Sequence, residues 1–141
     1  MPKVLILIGS NSDMSYAEEC QKILTSYGID NILEVSSAHR NPDRTDELAK
    51  NAAANGFEVV ICMAGMAAAL PGVVAARTKL PVIGVPLPAS LDGLDALLAI
   101  AQMPGGVPVA TMGIGKAGAK NAAHLAARIL AVKYPELNEK L

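Results

Sequence analysis

The run Lys3-Val4-Leu5-Ile6-Leu7-Ile8-Gly9-Ser10-Asn11-Ser12-Asp13 sets an unbroken apolar segment, Val4 to Ile8, against a turn of glycine, hydroxyls and a carboxylate. A strand that is apolar on both faces must be covered on both faces, which is the property of a central strand in a parallel sheet. The next segment has helical spacing: Tyr16, Cys20, Ile23, Leu24 and Tyr27 share one side of a helix over Ser12–Tyr27, and Gly28 supplies the left-handed residue that closes it. A buried strand, a tight turn and an amphipathic helix make a first βα pair.

The same alternation continues along the chain. Further strands are expected at Asn31–Ser36, Phe57–Met63, Leu80–Val85 and Val107–Met112. Helices are expected from Pro42, capped by Asn41, to Gly56, and then over Ala67–Thr78, Asp92–Ala101 and Ala117–Lys133. Short apolar runs separated by helix-period segments are the mark of βαβ units. The expected fold is α/β: a three-layer αβα sandwich, flavodoxin-like, with a five-stranded parallel sheet, formed by a single domain, 1–141. In such sheets ligands gather beyond the carboxyl ends of the strands near the switch point, so the loops after the first three strands carry the candidate site.

Composition narrows the partners. The net charge is -1 and no block of like charge occurs, so there is no basic field for nucleic acid. Val4 to Ile8 is too short for the apolar part of a signal peptide, and no apolar stretch reaches membrane-spanning length without Gly, Pro or charge. No membrane association and a cytoplasmic location are the expectations. Hydrophobic residues make up 52% and aromatics 3%, so the core must be built of Ala, Val, Ile and Leu, whose small members favour close packing and self-association. Cys20 and Cys62 lack the spacing of a metal or redox pair and read as reduced, buried thiols. No cluster has metal-ligand spacing, and no metal is expected.

Three loops could carry chemistry. Backbone N–H groups and hydroxyls of Gly9-Ser10-Asn11-Ser12 can surround a phosphate at the positive end of a helix, while Asp13 suits ribose hydroxyls or an amine; ordinary turn and cap chemistry is the competing reading. Ser36-Ser37-Ala38-His39-Arg40-Asn41-Pro42 sets one of two histidines beside an arginine, directly ahead of a helix. Imidazole moves protons near neutral pH, and the planar guanidinium fork recognises phosphate or carboxylate. A plain surface histidine and a weak surface ion pair are the alternatives. Met63-Ala64-Gly65-Met66-Ala67-Ala68-Ala69-Leu70-Pro71-Gly72 can form an apolar wall around a flat ring or a small fragment, although helix–sheet packing explains it as well.

Two patterns lead elsewhere. Gly113-Ile114-Gly115-Lys116-Ala117-Gly118 matches G-x-G-x-x-G, but it comes after the last strand, where no later strand can supply the acidic residue of a dinucleotide site. Ala117 stands where a P-loop needs Ser or Thr. His124, inside an Ala-rich helix, reads as a packing or surface residue.

Taken in order, Gly9-Ser10-Asn11-Ser12-Asp13, Ser37-Ala38-His39-Arg40-x-Pro42, Ala64-Gly65 with Leu70-Pro71-Gly72, and Gln102-Met103-Pro104-Gly105-Gly106-Val107-Pro108-Val109 resemble the PurE family of purine biosynthesis. The likeness runs from Val4 to about Leu137. It implies an isomerase, N5-carboxyaminoimidazole ribonucleotide mutase, which moves a carboxylate from the exocyclic N5 to ring carbon C4 without metal or organic cofactor. By that resemblance His39 is catalytic, as acid and base, and Gly9, Ser10, Ser12, Asp13, Ser37, Ala38, Arg40, Ala64, Gly65 and Leu70 bind substrate. It also implies a ribonucleotide and CO2 as small-molecule partners, and a homo-octamer whose subunits share sites. The third loop departs from the usual Gly-Gly-Ala-Ala-His-Leu-Pro-Gly: Met66 stands where a Gly is usual and Ala69 where a His is usual. The related carboxylase, which uses free CO2, typically has Lys where this chain has Arg40, so Arg40 favours the mutase. A catalytically weak nucleotide-binding paralogue and an FMN carrier are the remaining alternatives; the second would need aromatic rings, and the chain has no Trp and one Phe.

Overall fold

In the computed structural model, which describes all 141 residues, the chain runs β1 (Lys3–Ile8), α1 (Met14–Ser26), β2 (Asp30–Val35), α2 (Pro42–Asn51), β3 (Val59–Gly65), α3 (Leu70–Ala75), β4 (Val82–Leu87), α4 (Leu94–Ala101), β5 (Ala110–Thr111) and α5 (Lys116–Ala131). Short 3-10 turns span Asn11–Asp13 and Pro135–Lys140. All strand pairs are parallel, in the order β2-β1-β3-β4-β5. The expected five-stranded α/β sandwich is therefore present, and its switch point falls between β1 and β3.

Side chains alternate across the sheet and divide the core in two. Val4, Ile6, Ile8, Val59, Ile61 and Met63 meet Ala17, Cys20 and Leu24 of α1 and the alanines of α5. Leu5, Leu7, Val60 and Cys62 face the other way, against Ala49 of α2, Leu70 and Val74 of α3, and Ala96 and Ile100 of α4. Both cysteines are buried and free, and burial alone pushes the Cys20 thiol up to about 12 and Cys62 higher still, so neither is reactive. No helix is long and apolar enough to cross a membrane.

Close approach between layers requires glycine at two places. A Cβ at Gly118 would stand 1.7 Å from the Gly113 carbonyl oxygen, and one at Gly84 would stand 2.6 Å from Ile100 Cγ2. The G-x-G-x-x-G pattern thus serves packing: Gly113 and Gly118 bring α5 against the chain leaving β5, and Gly115 turns that chain with φ +81° while donating its N–H to the Pro86 carbonyl (2.9 Å).

Several boundaries differ from the expectations. Val107–Met112 reduces to the two-residue β5, because Pro108 cannot donate to a ladder and Gly105-Gly106 precedes it; only Ala110 and Thr111 pair, with Ile83 and Gly84. The Ala67–Thr78 helix shortens to α3, since Met66 (φ 56°) and Ala68 (φ 39°) are left-handed and Pro71 sits in the first turn. A left-handed backbone costs a non-glycine residue about 1–2 kcal/mol. Asn41 occupies the N-cap of α2 without a side-chain cap bond.

The C-terminal 3-10 turn is tied to the foot of β3 through Glu58, which accepts hydrogen bonds from Tyr134 Oη (2.6 Å) and Lys133 Nζ (2.9 Å). Partial burial opposes the charged carboxylate, but these two bonds outweigh it and hold Glu58 below its ordinary range. A carboxyl depressed on folding adds stability above its unfolded value of about 4.3, and loses it as pH falls through the folded value. Glu58→Gln is expected to lower Tm at pH 7 and to converge with the unaltered protein as pH falls through the folded value of the carboxyl; Tm measured across pH checks this.

Candidate active site

The first two strands end at one level. Ile8 pairs with Val35 on one side and Met63 on the other, so Gly9 and Ser36 leave the sheet side by side, while β3 runs on through Ala64 and Gly65 beside β4. The Ser36 N–H still reaches the Ile8 carbonyl at 2.9 Å, which starts the His39 loop next to the Gly9 turn. This is the crevice at the switch point.

The first wall is a built turn. Ser10 Oγ accepts from the Ser12 N–H (3.3 Å) and hydroxyl (3.0 Å), and its carbonyl accepts from the Asp13 N–H (3.0 Å). Cap chemistry therefore occupies part of the Ser10 hydroxyl's capacity in the free protein. A Cβ on Gly9 would meet nothing within 4 Å, so open space lies beside the turn. Asp13 is half-buried; burial pushes its carboxyl above the ordinary range, partly offset by a hydrogen bond from the Ser10 backbone.

The second wall is the turn Ser37–Asn41. The Asn41 N–H donates to the Ser37 carbonyl (2.8 Å) and the Arg40 N–H to Ser37 Oγ (3.1 Å). That arrangement leaves His39 and Arg40 at the crest, both exposed and neither side chain engaged in a hydrogen bond or ion pair. Ala38 packs partly against the core below. Two residues that the sequence patterns do not single out brace the turn from α2. Thr45, fully buried, shares a 2.7 Å hydrogen bond with the buried Ser36 hydroxyl and donates to the Ser37 carbonyl (3.3 Å). Arg44 donates to the Val35 carbonyl (2.5 Å) and pairs with Glu34 at 2.7 Å. A threonine and an arginine in the first turn of a helix that succeeds a candidate loop were the available signal.

The third wall comes from β3 and α3. Ala64 and Leu70 bury their side chains in the core, so only their backbone can meet a ligand. A Cβ on Gly65 would lie 3.3 Å from the Leu87 carbonyl oxygen, so glycine here permits the approach of β4. Met66 is exposed and Ala69 half-buried. No imidazole stands on this wall.

Two features fall outside the crevice. Lys116 opens α5 at the surface. His124 Nδ1 shares a 2.6 Å hydrogen bond with Tyr27 Oη beside an open groove of about 580 Å³, lined also by Met112, Asn121 and Arg128. That groove lies on the α5 flank and holds none of the residues of the three loops.

A sequence model described as AIR carboxylase matches residues 3–141. A protein of Pyrococcus abyssi named N5-carboxyaminoimidazole ribonucleotide mutase is 55% identical over 142 residues, covering 100% of this chain and 80% of its own length. The protein of that name from Saccharolobus solfataricus is 56% identical over 142 residues, covering 100% of this chain and 89% of its own. Among solved structures, Treponema denticola PurE superposes with a TM-score of 0.89 at 33% identity, over 99% of this chain and 86% of that one. A 3-dehydroquinate dehydratase-like protein from Bifidobacterium longum, at TM-score 0.61 and 17% identity, shares the fold alone. Matching over their whole length in both sequence and backbone, these residues make the chain a member of the AIR carboxylase, or PurE, family.

Proposed function

We infer that the chain catalyses the reaction named for its relatives, the conversion of N5-carboxyaminoimidazole ribonucleotide to the 4-carboxylate. The observation that carries this reading is identity above one half to two mutases across the whole chain. The crevice supports it: a hydroxyl-rich turn and Arg40 suit a ribonucleotide phosphate, and an unengaged imidazole stands next to that arginine.

In this reading the N5–carboxylate bond breaks to release CO2 while His39 delivers a proton to N5. The aminoimidazole C4 then attacks the CO2 carbon, and the imidazole recovers a proton from C4, so the reaction is an isomerisation with no net proton change. General acid–base help of this kind is worth about 10²- to 10⁴-fold. Holding CO2 against C4 adds the advantage of an intramolecular reaction. No step calls on a metal or organic cofactor. The working form is a cytoplasmic homo-octamer with shared sites; the bare His39 turn, the exposed Leu91 ahead of α4 and the exposed Leu94 and Leu98 on it support burial against further copies.

Freshly generated N5-carboxyaminoimidazole ribonucleotide should give the 4-carboxylate on addition of the purified protein, and faster than aminoimidazole ribonucleotide with bicarbonate does. The reverse order would make it a carboxylase using free CO2. Ala69→His is expected to raise turnover several-fold by restoring a polar group to the third wall. Ribonucleotide binding without turnover, repaired by Ala69→His, would mark a binding paralogue instead.

A further inference from the structure

We propose that Thr45 is a positioning residue for the proton transfer at His39: its buried hydroxyl holds in place the backbone that carries the imidazole. This rests on the mutase reading above. Neither the His39 nor the Arg40 side chain makes a hydrogen bond or ion pair, so the backbone alone decides where they stand. The Asn41 N–H on the Ser37 carbonyl and the Arg40 N–H on Ser37 Oγ are both internal to the turn. They fix its shape and leave its placement against the sheet to other contacts. Ala38 packs one methyl group against the core, which adds attraction but no direction.

Direction comes from two buried hydroxyls. Ser36 is 1% exposed and Thr45 0%, so neither can turn to water. Ser36 Oγ lies 2.7 Å from Thr45 Oγ1, which in turn lies 3.3 Å from the Ser37 carbonyl oxygen. Each hydroxyl has one hydrogen to give, and one assignment uses both: Ser36 donates to Thr45, and Thr45 donates to the Ser37 carbonyl. That second bond is the only side-chain hydrogen bond that reaches Ser37–Asn41 from outside the turn. Ser36 is itself held by its N–H on the Ile8 carbonyl (2.9 Å), one residue ahead of Gly9. The relay thus ties the second wall of the crevice to the strand that supplies the first. Two apolar side chains would fill the same space without making that tie.

Two substitutions separate the hydroxyl from its packing. Thr45→Val keeps the branched shape and removes the hydroxyl, whereas Thr45→Ser keeps the hydroxyl and removes a methyl group. With turnover of N5-carboxyaminoimidazole ribonucleotide measured well below each Tm, Thr45→Val is expected to lose about tenfold or more in kcat, because small misplacements of a reacting group are costly. Thr45→Ser should stay close to the unaltered rate. Thr45→Val also strands the Ser36 hydroxyl, so Ser36→Ala combined with Thr45→Val is its companion: Tm should recover while kcat stays low. In both valine variants, hydrogen exchange read by mass spectrometry should show the Arg40 and Asn41 amides exchanging several-fold faster. Full turnover in either valine variant, unchanged exchange, or a loss in Thr45→Ser as large as that in Thr45→Val overturns the proposal. If the unaltered protein converts no substrate, it is the mutase reading that fails, and amide exchange then decides the brace alone.

Discussion

Replacing His39 with Asn is expected to cut turnover by roughly 10²- to 10⁴-fold, the range over which a positioned acid–base group contributes. Asparagine keeps size and hydrogen-bonding capacity but cannot carry a proton between nitrogen and carbon. The turn should survive the change, because it is held by the Asn41 N–H on the Ser37 carbonyl, by Ser37 Oγ and by the buried Ser36–Thr45 pair, none of which uses the ring. Product affinity and Tm should therefore stay close to those of the unaltered protein, and calorimetry alongside initial rates separates the two effects. An unaltered rate in His39→Asn removes the assigned role.

The largest expected loss of stability is from Gly118→Ala. A new Cβ would sit 1.7 Å from the Gly113 oxygen, 2.7 Å from its carbonyl carbon and 3.3 Å from Val85 Cγ1. Two of those atoms are backbone, so no rotamer change relieves the overlap and α5 must shift away from the chain at Gly113. Its inner face is Ala119, Ala122, Ala123, Ala126 and Ala127, so the shift opens space along a layer that packs through methyl groups. A loss of about 3 kcal/mol or more is expected, with a fall in Tm of order 10 °C. Gly105→Ala, where a Cβ would meet nothing within 4 Å, is the control and should leave Tm nearly unchanged. Denaturant unfolding of both variants measures the difference.

The sheet was legible because its central strands are apolar on both faces, from Val4 to Ile8 and again through β3 and β4. Its fifth strand was not: Val107–Met112 has strand-forming residues, but pairing depends on how far the chain runs beside β4, which Pro108 curtails. The start of α3 was hidden for a similar reason. Small residues from Ala67 onward look helical, whereas the backbone there is left-handed at Met66 and Ala68. At the site, the loops after β1 and β2 could be located from turn residues and from His39 beside Arg40. The bracing by Thr45 and Arg44 could not, since it arises from α2 folding back over the end of β2. Leu70 shows the opposite limit: a position named by family likeness has its side chain in the core.

Pro86 lies inside β4, an unusual place for a residue that cannot donate to a ladder. It is accommodated because β5 has ended by that level, pairing only with Ile83 and Gly84, and because the Pro86 carbonyl is already taken by the Gly115 N–H. On that flank the protruding end of β4 therefore offers an intruding polypeptide neither a vacant donor nor a vacant acceptor. A position that first looks like a defect in the strand is a guard against strand invasion along that edge of β4.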